Sequence, residues 1–318
     1  MMIISTLDLE QDFRDLLAHE FPAMPIRHTQ LSQLSDAELA QAEIVITYGY
    51  DLAPEVVRKM GSLQWLHIGQ SGMDPLPLDL LQEKKVFITN SRGINSSTIA
   101  EYVLCAMLNV VRNTFAYAER ARQKIWDSNL KVDELSEKTV GIFGVGSVGK
   151  EVAKRAKAFG TRVLGLDIFS GKVPFVDQMF LPYQRQEVLS QCDFIVLSLP
   201  LLDSTAGLIG RAELSMMPKT AWIINVGRGP LIDTDALVEA VDAGWITGAV
   251  LDVFTTEPLA AADKLWAREN IWITPHTAGD HFPQYAPRMV AIIRHNLAKY
   301  PHYEQMQNPV PYFFYDQY

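Results

Sequence analysis

The chain has 318 residues, 48% of them apolar and 20% charged, with a net charge of −9 and a pI near 5.3. This is the composition of an ordinary globular protein long enough for two separate cores, and its acidity argues against a nucleic-acid or anionic-membrane surface. The apolar stretch Tyr102 to Val111 is too short to span a bilayer, and Met1 to Thr6 lacks the basic flank of a signal peptide, so the cytoplasm is the expected location.

In chain order, short apolar runs at Met2 to Ser5, Ile26 to Thr29, Ala42 to Tyr48, Gln64 to Ile68 and Val86 to Thr89 predict strands. Helical patterning separates them at Gln11 to Glu20, Ser35 to Ala40, Glu55 to Met60 and Pro77 to Glu83, with Ser35 and Glu38 spaced as a capping box. A long apolar-periodic helix over Ser96 to Lys124 is expected to break near Asn109 to Asn113. Six further strands follow, at 139–143, 162–166, 193–198, 221–226, 247–251 and 271–274, again alternating with helices. A last helix, Gln284 to Lys299, returns the chain to its first part. The expected fold is α/β with two doubly wound domains: a Rossmann domain, residues 98–284, inserted into a smaller flavodoxin-like domain made of 1–97 and 285–318. Two such domains joined by two crossing helices make a cleft, the usual place for a ligand. Cys105 and Cys192 read as reduced core cysteines, and no Cys/His spacing suggests a metal.

Gly144, Gly146 and Gly149 have G-x-G-x-x-G spacing between an apolar run and a helical one. The first allows the tight turn, the second admits a pyrophosphate, and the third lets helix and strand pack closely. The N–H groups of Ser147 and Val148, at the start of the following helix, would face the phosphates. About 18 residues beyond Gly149, a second apolar run ends in Asp167, placed to accept hydrogen bonds from adenosine ribose hydroxyls. The same carboxylate repels a 2′-phosphate, so NAD(H) is expected over NADP(H).

Three later strand ends carry chemistry. Ala221 to Val226 runs into Gly227-Arg228-Gly229, where a guanidinium can pair with a carboxylate and polarise a carbonyl. Gly248 to Leu251 ends at Asp252, placed to accept a hydrogen bond from a nicotinamide amide, and Glu257 follows on the loop. The final strand leads to His276, a candidate proton carrier at neutral pH, for which a carboxylate on the other ring nitrogen would fix the tautomer and favour the imidazolium. Glu257 is the carboxylate left for that task. His281 is the rival, within the start of the returning helix.

Asn225 to Asp233, Leu251 to Pro258 and Thr274 to Gly279 resemble the three signature segments of the D-isomer-specific 2-hydroxyacid dehydrogenases. The glycine fingerprint, Leu197 to Pro200 with Thr205, Thr98 to Glu101, and Gly69 to Asp74 fit the same pattern. The resemblance covers about residues 60 to 280. It implies Arg228, Glu257 and His276 as the catalytic set, and a cofactor contacted by Thr98, Leu199, Pro200, Thr205, Val226, Gly227, Arg228, Asp252, His276, Ala278 and Gly279 as well as the fingerprint residues. It implies that Ser71 and Gly72 offer backbone N–H groups to a substrate carboxylate, that Arg228 and His276 touch the substrate, and that the protein is a homodimer built through its cofactor domain. The substrate would be a small 2-oxo or 2-hydroxy acid. Gln70 stands where many members have glycine, so its side chain would face the substrate. Glu257 argues against the formate dehydrogenase branch, which carries glutamine there, and no C-terminal regulatory domain is expected. Two other readings share the fold: an NADH-sensing co-repressor-like binding protein, and a phosphite-oxidising relative.

Overall fold

The computed structural model describes residues 1–73, 76–280 and 282–311. They divide into two units, Met1–Ile94 with Phe282–Tyr318, and Asn95–His281.

The first unit is a five-stranded parallel sheet. Its strands are β1 (Met2–Ser5), β2 (Ile26–His28), β3 (Ala42–Thr47), β4 (Trp65–Ile68) and β5 (Phe87–Asn90), in the order β2-β1-β3-β4-β5. Helices α1 (Gln11–Glu20), α2 (Asp36–Gln41), α3 (Pro54–Lys59) and α4 (Leu78–Glu83) connect them. Neighbouring residues of one strand point to opposite faces, so each strand feeds two cores. Ile4, Val45, Leu66 and Ile88 pack on one side. Ile3, Ile44, Ile46 and Trp65 pack on the other, against Met289, Val290, Ile293 and Leu297 of the chain's last helix. The capping box at Ser35 forms: its hydroxyl accepts from Glu38 N, and Glu38 Oε2 accepts from Ser35 N at 2.8 Å. Arg27 donates to the Glu38 carboxylate at 2.6 Å, and this bond, with those from the Ser35 hydroxyl and N–H, pulls the carboxyl down to about 2.

The second unit has seven parallel strands: β6 (Thr139–Phe143), β7 (Arg162–Leu166), β8 (Gln178–Phe180), β9 (Phe194–Leu197), β10 (Trp222–Asn225), β11 (Gly248–Leu251) and β12 (Ile271–Ile273). Their order is β12-β11-β10-β9-β6-β7-β8, which reverses direction at β6 and so makes the switch point of a doubly wound sheet. Helices α5 (Ser96–Val111) and α6 (Thr114–Arg122) precede the sheet, and α7 (Ser147–Ala158), α8 (Arg185–Leu189), α9 (Arg211–Met216) and α10 (Thr234–Asp242) lie within it in sequence. Phe143, Leu197 and Ile223 serve one core, while Ile142, Val196 and Ile224 serve the other. The last helix, α11 (Tyr285–Lys299), belongs to the first unit.

Two details differ from the sequence reading, the extra strand and one cysteine, while the helix break falls within the stretch expected. The seventh strand, β8, was not among the six expected, because it has three residues and only Phe180 is buried, too little for an apolar run to stand out. The helix break falls at Arg112 and Asn113, where Asn113 takes a left-handed conformation (φ 51°) that ends α5. The two cysteines are not both in the core. Cys192 is buried and its thiol is pushed up to about 12 by that burial, but Cys105 lies on the exposed face of α5, where the general apolarity of the helix masks its outward side. Among the described residues, no helix is long and apolar enough to cross a membrane.

His67 on β4 is completely buried, and burial alone lowers it from 6.5 to about 3. The unfolded chain therefore binds a proton near pH 6.5 that the folded protein refuses until pH is far lower, so this group removes stability as pH falls between those values. The unfolding free energy of the native protein should fall more steeply between pH 6.5 and 4 than that of His67→Gln, by up to roughly 1.4 kcal/mol per pH unit. Parallel urea titrations of the two proteins check this, and equal slopes would show that His67 is not held neutral.

Candidate functional site

The register of the seven-stranded sheet aligns the ends of its strands. Leu166, Phe143, Leu197, Asn225, Leu251 and Ile273 sit in one row across β7, β6, β9, β10, β11 and β12. One residue further on, Asp167, Gly144, Ser198, Val226, Asp252 and Thr274 therefore emerge along the same C-terminal edge. Binding sites of open α/β sheets lie at such edges.

At the β6–α7 turn the three glycines have three different surroundings. Gly144 has φ +91°, and a Cβ there would lie 2.9 Å from Ser198 backbone. A Cβ on Gly149 would meet the Gly144 carbonyl at 2.1 Å. A Cβ on Gly146 would meet nothing within 4 Å, so this glycine faces open space in front of the N-terminus of α7. Ser198 donates to the Gly144 carbonyl at 2.7 Å. Asp167 accepts from Val145 N at 2.7 Å and from Ile168 N at 2.8 Å, one bond to each oxygen, and keeps lone pairs for further donors. An open space at a helix N-terminus, walled by backbone and flanked by a half-buried carboxylate, fits a dinucleotide pyrophosphate and ribose.

Past β9, Leu199 and Pro200 lead to Thr205, whose hydroxyl donates to the Pro200 carbonyl and accepts from Leu202 N, each at 2.8 Å. Thr98 lies in the first turn of α5, half-buried.

After β10, Asn225 is buried and bridges the turn that carries Arg228. Its Nδ2 donates to the Arg228 carbonyl at 2.9 Å, and its Oδ1 accepts from Gly227 N at 3.1 Å. A Cβ on Gly227 would fall 2.8 Å from Leu199 O, and one on Gly229 would fall 2.0 Å from Phe254 backbone, so the glycines on both sides of Arg228 are sites of close packing. The half-buried Arg228 side chain reaches back to the Gly227 carbonyl at 2.7 Å.

Asp252 is 2% exposed and both oxygens of its carboxylate are engaged. It accepts from Thr274 Oγ1 at 2.6 Å, Thr277 N at 2.9 Å and Ala278 N at 3.0 Å. Burial raises its carboxyl above the usual range, and these hydrogen bonds and His276 pull against that. Tyr102 on α5 lies 2.7 Å from Thr274 Oγ1, which donates to Asp252, so the tyrosine hydroxyl donates in turn. Burial pushes that phenol up to about 12, keeping it a donor. Ala278 and Gly279 follow, and a Cβ on Gly279 would meet Asn95 Nδ2 at 2.8 Å.

Within the loop that Asp252 holds, His276 has φ +54°, an uncommon conformation for a residue with a side chain. Its N–H donates to the Asp252 carbonyl at 2.8 Å. Its Nδ1 lies 2.7 Å from Glu257 Oε2, and Glu257 Oε1 accepts from Phe254 N at 2.8 Å. The carboxylate is thus anchored by its own loop and holds the ring by one nitrogen, leaving Nε2 turned away from it. His276 and Glu257 side chains are 47% and 36% exposed, accessible to a small ligand. His281 lies outside the described residues.

In the first unit, the equivalent strand edge carries Gly69 to Met73; Asp74 of this motif is outside the described residues. The Gln70 carbonyl accepts from Ser91 N at 3.1 Å, and the Ser71 carbonyl accepts from Asn90 Nδ2 at 2.9 Å. A trans peptide is planar, with N–H opposite C=O. Because the carbonyls of Gln70 and Ser71 face β5, the N–H groups of Ser71 and Gly72 face the other way. Gln70 donates its amide to the Tyr48 carbonyl at 2.8 Å, and Tyr50 O–H donates to Gln70 Oε1 at 3.4 Å, so this side chain ties its loop to the one after β3.

Sequence reasoning passed over Asn225, Ser198, Thr274 and Tyr102, all of which position the named residues. The available signal was a polar residue ending an otherwise apolar strand, clear only for Asn225 and Thr274.

Residues 104–278 match the family model described as D-isomer specific 2-hydroxyacid dehydrogenase, NAD binding domain. The chain is 33% identical over 254 residues to the D-3-phosphoglycerate dehydrogenase of Methanocaldococcus jannaschii, an alignment covering 77% of this chain and 46% of that one, so it spans about half the length of that relative. It is 33% identical over 249 residues to the glyoxylate/hydroxypyruvate reductase B of Pectobacterium carotovorum, covering 76% and 78% of the two chains. The solved D-isomer specific 2-hydroxyacid dehydrogenase of Xanthobacter autotrophicus, in complex with NADPH and MES, superposes with a TM-score of 0.83 at 25% identity, covering 98% of each chain. A family match over more than half the chain, with a relative 33% identical over 76% of it, leads to one conclusion: the chain belongs to the D-isomer specific 2-hydroxyacid dehydrogenase family.

Proposed function

We propose that the protein is an NAD(H)-dependent oxidoreductase that interconverts a small 2-oxo acid and its D-2-hydroxy acid, with His276, Glu257 and Arg228 as catalytic residues. The observation that carries this reading is the 2.7 Å contact between His276 Nδ1 and Glu257, on the same strand edge as Arg228 and the glycine turn. When bound, the nicotinamide supplies the hydride that adds to C2. His276 Nε2 donates a proton to the oxygen as it becomes an alkoxide, while Glu257 orients the ring and balances its charge. Arg228 binds the substrate carboxylate or carbonyl and stabilises the negative charge that develops. In the first unit, the outward N–H groups of Ser71 and Gly72 suit a carboxylate, and Gln70 bounds the space beside them. Gly144, Gly146, Gly149 and the start of α7 hold the pyrophosphate, and Asp167 the ribose. Asp252 acts on the cofactor side by fixing the loop from Thr274 to Gly279. Large side chains left exposed on the second unit, among them Phe115, Ile125, Trp126 and Phe159, support assembly of a homodimer through it.

Loss of NADH absorbance with glyoxylate, hydroxypyruvate, pyruvate and branched 2-oxo acids tests the activity. Failure with all of them alongside tight NADH binding would instead favour an NADH-sensing binding protein, and oxidation of phosphite would favour the inorganic substrate. In the active enzyme, His276→Gln should reduce turnover by about 100-fold or more while NADH binding, followed by fluorescence, is kept. Unchanged turnover would remove His276 as the proton carrier. Asp167→Ala should narrow the preference for NADH over NADPH, measured as the ratio of kcat/KM values; a constant ratio contradicts its ribose role. The glycines should also separate. Gly149→Ala should unfold or strongly destabilise the cofactor unit, whereas Gly146→Ala should melt at nearly the native temperature yet bind NADH more weakly. Equal melting temperatures for the two variants would count against the packing account.

A further inference from the structure

The mechanism makes no use of His67, a buried titratable side chain. It lies on β4 two residues before Gly69, on the sheet face covered by α11, and has no exposed surface. The register sets it directly beside Thr89 of β5. Its Nδ1 is 2.8 Å from Thr89 Oγ1 and its Nε2 is 3.2 Å from Ser91 Oγ. Trp65, on the same face, donates its indole N–H to Thr89 Oγ1 at 2.9 Å. A neutral imidazole has one donor and one acceptor nitrogen, so it can bridge two hydroxyls. Burial keeps it neutral, and a leucine or valine at this position would make neither bond.

What the ring holds is informative. Thr89 and Ser91 flank Asn90 at the end of β5, and all three are buried. Ser91 N donates to the Ile68 and Gln70 carbonyls at 2.9 and 3.1 Å, and Asn90 Nδ2 donates to the Ser71 carbonyl. The bonds to the Gln70 and Ser71 carbonyls turn the N–H groups of Ser71 and Gly72 outward. Asn90 is further clamped from the C-terminal side, where its N–H donates to the Asn308 carbonyl at 3.2 Å and its own carbonyl accepts from Asn308 Nδ2 at 3.1 Å. The chain Trp65, Thr89, His67, Ser91 therefore runs from the core to the loop at the sheet edge.

We propose that His67 is a positioning residue for substrate carboxylate recognition: by bridging Thr89 and Ser91 it fixes the end of β5, and through the Ser91 N–H it sets the direction of the Ser71 and Gly72 amides. The proposal rests on the reading that those amides receive the carboxylate. Misplacing a binding group by less than an ångström weakens the contacts it makes, and the cost falls on substrate affinity, since the groups that transfer hydride and proton belong to the other unit.

The test uses the full-length protein and three variants. His67→Phe removes both bonds but fills the space, His67→Gln retains a donor near the Nε2 position, and Ser91→Ala removes the hydroxyl while keeping the backbone N–H. With the best 2-oxo acid of the panel, His67→Phe should raise KM about tenfold, change kcat less than about threefold and leave the Kd for NADH unchanged. His67→Gln should recover most of that KM. Ser91→Ala, which leaves the His67–Thr89 bond and the Ser91 N–H in place, should raise KM in the same direction. Backbone amide hydrogen exchange at Ser91 should accelerate in His67→Phe and return toward the native rate in His67→Gln. An unchanged KM in His67→Phe and in Ser91→Ala would overturn the proposal, as would a loss in NADH affinity equal to the loss for the 2-oxo acid. Should the native protein reduce no 2-oxo acid, the reading of the activity fails, and Ser91 exchange alone then decides whether His67 orders the loop: an unaltered rate in His67→Phe refutes it.

Discussion

The arrangement at the edge of the larger sheet depends on one buried carboxylate. An aspartate that is 2% exposed is tolerated only if its charge is met by donors, and Asp252 meets it with a threonine hydroxyl and two consecutive backbone N–H groups. Those donors span Thr274 to Ala278, so satisfying the carboxylate determines the path of the loop after β12. His276 lies inside that span, and its own N–H closes on the Asp252 carbonyl. The left-handed conformation of His276 follows from a chain held at both sides of it, and the cost of that conformation is offset by the bonds to Asp252. Glu257 then has only to orient a ring whose backbone is already placed.

The smaller sheet solves the same problem with different groups. The loop from Gly69 to Met73 also follows a parallel strand, and it too is held by polar side chains buried at the strand ends. Here the buried groups are neutral: Asn90, Ser91 and Thr89, with His67 between the hydroxyls.

Much of this architecture was legible in the sequence. Both sheets were expected from the alternation of apolar runs and helical stretches, because a parallel strand buried on both faces has few polar residues to obscure it; β9 and β11 have none. The edge strand β8 was not, since two of its three residues are not buried. The proximity of Glu257 and His276 was inferred from strand order and assignment by elimination, and the structure brings the two together at 2.7 Å. The engagement of Asp252 with Thr277 and Ala278 was not legible, because a backbone donor leaves no mark in the residue type. Gln70 illustrates the same limit. Its presence in place of glycine announced a side chain near the substrate loop, but the partner of that side chain is a main-chain carbonyl, that of Tyr48.

The fingerprint glycines show why a motif read as a ligand signature encodes two separate constraints. Gly144 and Gly149 are required by the protein itself: one adopts a positive φ against Ser198, and the other lies where any Cβ would strike the Gly144 carbonyl. Gly146 is under no such constraint, as a Cβ there would project into empty space. Its lack of a side chain has no explanation in the packing of the chain, and this is what points to a ligand. The same test, applied to Arg228, gives the opposite result for its neighbours. Gly227 and Gly229 are both dictated by contacts with Leu199 and Phe254 backbone, so the loop is compressed into the body of the unit and the arginine is the one large side chain it carries. A position whose residue type the packing does not demand is therefore the stronger evidence for function, and at this edge Gly146 is such a position.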